Sequence, residues 1–131
     1  MTVAMSRFLL VTLGGAIGSG ARYLVSTWTQ TLLGATFPFG TLAVNVVGSF
    51  CICAVMHLGV VANVITPGMR LFLTTGILGG FTTYSAFDHE TYRYAQQGAY
   101  ALASLYVAAT LVLCFASGAA GDAVAKLLVR G

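Results

Sequence analysis

The chain has 131 residues, of which 58% are hydrophobic and only 7% charged, with a mean hydropathy of +0.91. Soluble domains carry about a quarter charged residues, so the composition leaves too little polar surface to hold a folded domain in water. A bilayer-spanning helix needs roughly 20 mostly apolar residues; four spans with short turns consume nearly everything, and residues 1–131 read as one transmembrane domain. Six Lys plus Arg against three Asp plus Glu give a formal charge of +3. The basic residues Arg7, Arg22, Arg70, Arg93, Lys126 and Arg130 are scattered, so no basic patch for nucleic acid exists.

Segment one runs from about Phe8 to Trp28. Arg7 ahead of an apolar run resembles the start of a secretory signal, but the run continues to Arg22 and Tyr23 without a cleavage site, and its removal would leave an odd number of spans. Gly14 and Gly18 have the small-xxx-small spacing that lets two helix backbones approach closely. Arg22 lies inside or near the end of this span, where a cation costs a few kcal/mol unless it snorkels or finds partners. It reads equally as an interfacial anchor or as a functional group.

Segment two runs from about Phe39 to Val64, after a turn containing Gly34 and Pro38. Thr41, Asn45 and Ser49 are spaced by four and form one polar stripe on an otherwise apolar helix. A membrane-buried Asn must be hydrogen-bonded, so Asn45 either joins two helices or faces water and a solute. Cys51 and Cys53 point to different faces of a helix and make a poor metal pair.

Pro67 and Gly68 mark the next turn. Segment three, from about Arg70 to Tyr94, contains GGFTTYSAF from Gly79 to Phe87, a poor continuous helix. Broken helices at membrane depth are tolerated only inside protein or along a cavity, and their free carbonyls often bind a cation. Segment four, from about Tyr100 to Leu128, repeats the four-residue spacing in Tyr106, Thr110 and Cys114. Stripes on two facing helices would make a narrow polar track for a small ion.

Four spans place both termini and the middle turn on one side, collecting Arg7, Arg70, Lys126 and Arg130 against Arg93 and Arg22 on the other. With so few charges this is a slight bias toward termini inside. It permits insertion in both orientations, and with it an antiparallel pair.

Three ordered motifs carry a family resemblance across essentially the whole chain: Gly14 to Gly18 followed by Arg22 and Tyr23, GTLAVNVVGSF from Gly40 to Phe50, and TTGILGGFTTYSAF from Thr74 to Phe87 with Glu90 beyond. The chain resembles the Fluc or CrcB fluoride channels. The resemblance implies an all-α membrane protein of four transmembrane helices, the third broken mid-membrane, assembled as an antiparallel, dual-topology homodimer. It also implies two fluoride pores along the subunit interface. The pore residues it points to are Asn45, Ser85, Tyr84 and Phe87, with Thr41, Tyr106 and Thr110 as a polar track. A structural sodium ion at the dimer centre, held by main-chain carbonyls, maps onto Gly79 and Thr82.

The chain departs from the family pattern at Tyr84, where Phe is usual, at Ala86, where Thr is usual, and at Cys114, where a small hydroxyl residue is expected. Asp88 and His89 add charge where the family has less. These departures leave a paralogous partner subunit as an alternative to an identical one.

The function expected is passive export of fluoride across a bacterial inner membrane, relieving fluoride toxicity. Hydroxyl and amide donors, with weakly positive aromatic edges, replace the water around a small hard anion. Two alternatives stand beside it. A small dual-topology proton-coupled drug exporter needs an acidic residue in the first span, which is missing. A non-conducting membrane assembly subunit does not account for Asn45 or the Gly79–Phe87 break. No catalytic set is expected, because His57, His89, Asp88 and Glu90 lack the spacing of a nucleophile and base.

Overall fold

The computed structural model describes residues 2–130, and their regular structure is helical. Helix α1 (Val3–Leu33) starts at Thr2, whose hydroxyl accepts from Met5 N at 3.3 Å, and stops at Gly34 in the left-handed region (φ 81°). Helix α2 (Phe39–Met56) runs into a π-helical turn, His57–Val61, where Ala62 N donates to His57 O at 2.9 Å. Asn63, with φ 55°, then reverses the chain.

The third segment is divided. Thr66 caps α3 (Pro67–Leu71), with Pro67 at the first turn where its missing N–H costs nothing. A π-helical run, Phe72–Leu78, leads into the short α4 (Gly79–Phe81). The backbone is extended at Thr82 and Thr83, and α5 (Tyr84–Gln96) begins under the Thr83 side chain, which accepts from Ala86 N. Gly98, at φ 73°, turns the chain into α6 (Tyr100–Arg130).

Three of these stretches are long and apolar enough to cross a membrane: Val3–Leu33, Phe39–Val61 and Tyr100–Arg130. Large apolar side chains such as Phe115, Leu24, Val112 and Leu127 stand exposed along them, which suits lipid. The chain is a multi-pass membrane protein. Helices α1 and α6 outrun the expected spans because they end at caps and charged turns rather than where hydropathy falls. No single piece of the third segment has spanning length.

Glycines set the packing. A methyl on Gly14 would lie 2.8 Å from Gly76 Cα, and one on Gly80 would lie 2.5 Å from Gly15 O. The small-residue face of α1 therefore meets the third segment of its own chain, backbone to backbone. Helices α2 and α6 approach through Gly118 and Gly121, and Ser117 Oγ donates to Val46 O at 2.8 Å. At the far end of this pair, buried His57 donates through Nδ1 to Asp122 Oδ1 at 2.8 Å, and Lys126 meets Asp122 Oδ2 at 2.6 Å.

Candidate functional site

The extended step at Thr82–Thr83 is held from α2. Asn45 Oδ1 accepts from Thr83 N at 2.9 Å, while Asn45 Nδ2 donates to Thr83 O at 3.0 Å. One amide thus replaces the ladder bonds that an unbroken helix would give Thr83, and a second Nδ2 hydrogen is left over. A helix continuing through this step would send the Thr83 N–H to Gly79 O. That donor is spent on Asn45, so the Gly79 carbonyl loses its usual partner. Thr82, whose carbonyl follows in extended backbone, turns its hydroxyl back to Leu78 O at 2.9 Å. Gly48 faces the Thr82 methyl, leaving no room for a side chain on α2 there.

A second cluster gathers around Glu90 on α5. Thr41 Oγ1 donates to Glu90 Oε1 at 2.8 Å, and the Tyr106 hydroxyl donates to Oε2 at 2.7 Å. Tyr106 is completely buried, with Phe37 edge-on at 5.3 Å between centroids and Phe87 tilted at 5.2 Å. Phe87 belongs to this buried cluster with Tyr94 and Ala103. Tyr84, 5.8 Å from Phe87, is 76% exposed on the surface of the chain. Ser85 is exposed, its hydroxyl 3.4 Å from that of Thr83.

Two cavities flank the interruption. One, of about 330 Å³, has Asn45, Gly79, Thr82, Tyr84, Phe87 and Thr110 among its walls. The other, of about 500 Å³, is bounded by Arg22, Thr41, His89, Glu90 and Arg93. Thr83 borders both. Among the described residues, Arg22 and Arg93 have no carboxylate within ion-pair distance, and they outnumber the one carboxylate in the wall, Glu90, so the larger cavity carries net positive charge. In the smaller one, Thr110 is 7% exposed and its hydroxyl is the one buried side-chain oxygen or nitrogen, among the described residues, without a hydrogen-bond partner. Buried hydroxyls are normally paired, and within the chain this one is an exception.

The structure therefore brings six of the sequence-predicted residues, Asn45, Gly79, Thr82, Tyr84, Phe87 and Thr110, to one cavity. Thr41 and Tyr106 meet through Glu90 instead, and Arg22 lines the neighbouring cavity. The α2 stripe is less free than its spacing suggests: Thr41 is engaged by Glu90, and Ser49 Oγ donates to Asn45 O at 2.7 Å. Sequence reasoning gave no role to Glu90 or Thr83. Glu90 follows Phe87 by three residues on one helix face, the signal that links it to the aromatic cluster.

A family model described as "CrcB-like protein, Camphor Resistance (CrcB)" matches residues 9–122. A relative from Anaeromyxobacter dehalogenans is 49% identical over 126 residues, covering 96% of this chain and 97% of its own length. One from Sorangium cellulosum is 46% identical over 127 residues, 97% of this chain and 100% of its own. One from Agrobacterium fabrum is 46% identical over 124 residues, covering 95% and 99%. Each of the three bears the name "Fluoride-specific ion channel FluC".

Proposed function

Because this chain belongs to the CrcB family, with relatives named as fluoride-specific ion channels, we infer that it is a fluoride channel, passing fluoride passively out of a bacterial cell across the inner membrane and so relieving fluoride toxicity. The observation that carries this reading at the level of residues is the grouping of Asn45, Phe87 and Thr110 around one cavity, with the Thr110 hydroxyl left without a partner among the described residues. A dehydrated small anion needs several neutral donors rather than one fixed cation, because conduction requires binding weak enough to release. Thr110 and the second Asn45 amide hydrogen are such donors, and the Phe87 ring edge adds a weakly positive surface. Arg22 and Arg93 raise the local anion concentration in the adjoining cavity without entering the narrow step. Tyr84 and Ser85 border the path from the exposed face, while Thr41 and Tyr106, their hydroxyls engaged by Glu90, support its wall rather than donate to the ion.

The functional unit is an antiparallel dimer of identical chains, all of 1–131 forming one channel domain with the third segment crossing the bilayer as two half-helices. Exposed Tyr84 and the divided third segment support this, since lipid cannot satisfy a broken helix. Single cysteines at either terminus, in a background lacking the native three, should label from both sides; labelling from one side only rejects the antiparallel arrangement.

The Gly79 and Thr82 carbonyls suit a hard monovalent cation. One chain supplies two carbonyl oxygens and a second copy two more, four of the about six that a hard cation takes. Sodium bound there would supply positive charge between the two paths and tie the two interruptions together. Exchange of sodium for a bulky organic cation should dissociate or inactivate the dimer; indifference to sodium removes this site.

The deciding experiment is fluoride efflux from liposomes holding the purified protein, read with a fluoride electrode against a chloride control. Rapid fluoride release with chloride retained is expected. Equal leak of both ions, or no leak, overturns the channel reading.

A further inference from the structure

His89 and Arg93 stand four residues apart on α5 and therefore on one face of that helix. Both lie in the wall of the 500 Å³ cavity, and Arg22 lies in the same wall from α1. Arg22 is half-buried, while Arg93 and His89 are exposed. Ser19 and Ser26, three residues before Arg22 and four after it, bring hydroxyls from the same face of α1. The one carboxylate in this wall is Glu90, whose two oxygens accept from Thr41 and Tyr106 at 2.8 and 2.7 Å. Among the described residues neither guanidinium has an ion-pair partner, so cations from two different helices border one space without being neutralised there. A cavity of this size falls in the range of about 300–1,000 Å³ typical of small-molecule sites, far more room than a bare monatomic anion fills.

We propose that this cavity is a binding site for a free tetrahedral oxyanion of the sulfate or phosphate class, held between Arg22 of α1 and the His89 and Arg93 face of α5, and that an ion seated there blocks the path. The block rests on the channel reading above; the binding does not. A guanidinium is a planar fork that grips two oxygens at once. Four oxygens arranged tetrahedrally accept from two forks on different helices, a geometry that a spherical ion does not offer. His89 adds a ring N–H in either protonation state. The two guanidinium charges match a dianion, whereas the phosphodiester of a lipid headgroup carries a single negative charge and matches one of them. Thr83 borders both this cavity and the next, and so marks the entry to the narrow step. The donors beyond it replace the water of a small anion, so a bulkier ion with four oxygens stops at the mouth and keeps fluoride out.

The test uses the full-length protein, with sodium sulfate as the probe and sodium chloride at matched ionic strength as the control, because screening alone follows ionic strength. Calorimetric titration of the purified parent should show saturable sulfate binding that chloride does not reproduce. Arg93→Gln should weaken it at least about tenfold; Arg93→Lys, which keeps the charge and loses the fork, should weaken it as well. In liposomes, saturating sulfate should slow the parent's fluoride efflux at least about tenfold, and half-block should need more sulfate in Arg93→Gln, whatever that variant's own rate. No saturable binding, or equal binding by parent and Arg93→Gln, overturns the site. Binding without slower efflux overturns the block. Phospholipid retained by the purified protein, measured as phosphorus, with sulfate binding only after its removal, assigns the site to a headgroup and overturns the free-ion inference. A parent that binds sulfate but passes no fluoride even without it removes the channel reading and leaves the binding site standing.

Discussion

The Tyr106 hydroxyl donates to Glu90 Oε2 at 2.7 Å from a ring with no exposed surface. Thr41 occupies the other oxygen, so the carboxylate is tied at once to α2 and α6. Replacing Tyr106 with Phe strands one carboxylate oxygen in a buried setting and should cost about 1–3 kcal/mol. Glu90→Gln should cost a similar amount, because an amide nitrogen then faces a hydroxyl donor. The double variant should lose clearly less than the sum, since both changes remove one shared bond. Denaturation of the three variants in detergent checks this; strict additivity would show that the bond carries no coupling.

Thr110→Val removes a hydroxyl that bonds to nothing in the chain while preserving the side-chain shape. Stability should be unchanged or raised by up to about 1 kcal/mol, because no hydrogen bond is lost and a polar group leaves a buried site. Fluoride efflux should nevertheless fall. A conducting, unaltered Thr110→Val channel would remove Thr110 from the donor set.

Asn45 serves two purposes that a carboxylate serves badly. The substitution Asn45→Asp keeps an acceptor for Thr83 N but loses the Nδ2 donor and sets a carboxylate against the Thr83 carbonyl. A fixed negative charge beside an anion path in low dielectric is also a like-charge barrier. Efflux should collapse, with the fold weakened by about 1–3 kcal/mol. Thermal scans alongside flux separate the two effects: flux at the parental rate in a folded Asn45→Asp protein leaves Asn45 a purely structural residue.

Gly18 and Gly20 lie on the same helix and differ in what surrounds them. A methyl at Gly18 runs into the Ile77 carbonyl, whereas one at Gly20 meets nothing within 4 Å. Gly18→Ala should destabilise the chain by about 1–3 kcal/mol through overpacking. Gly20→Ala should be neutral or stabilising by up to about 1 kcal/mol, the helix preference of Ala over Gly. Equal melting temperatures for the two variants would contradict the backbone-to-backbone contact between α1 and the third segment.

The sequence by itself determined what short-range chemistry determines. A charged fraction too small for water demanded a membrane, and the stretches around α1, α2 and α6 are apolar over spanning lengths. The four-residue spacings put Thr41 with Asn45, and Thr110 with Cys114, on common faces because a helix turns every 3.6 residues. Only the tertiary structure decided which polar groups are spent. Thr41 reaches Glu90 across 49 residues and Asn45 reaches Thr83 across 38, so periodicity along one helix carries no trace of either bond. The same holds for Gly14 and Gly18: their spacing announces close approach but does not name the partner, and it is the fold that sets them against Gly76 and Ile77. Thr110 and Thr41 look alike in the sequence. One hydroxyl is left free and the other is taken because a carboxylate from α5 comes within 2.8 Å of Thr41 and nothing comes within reach of Thr110.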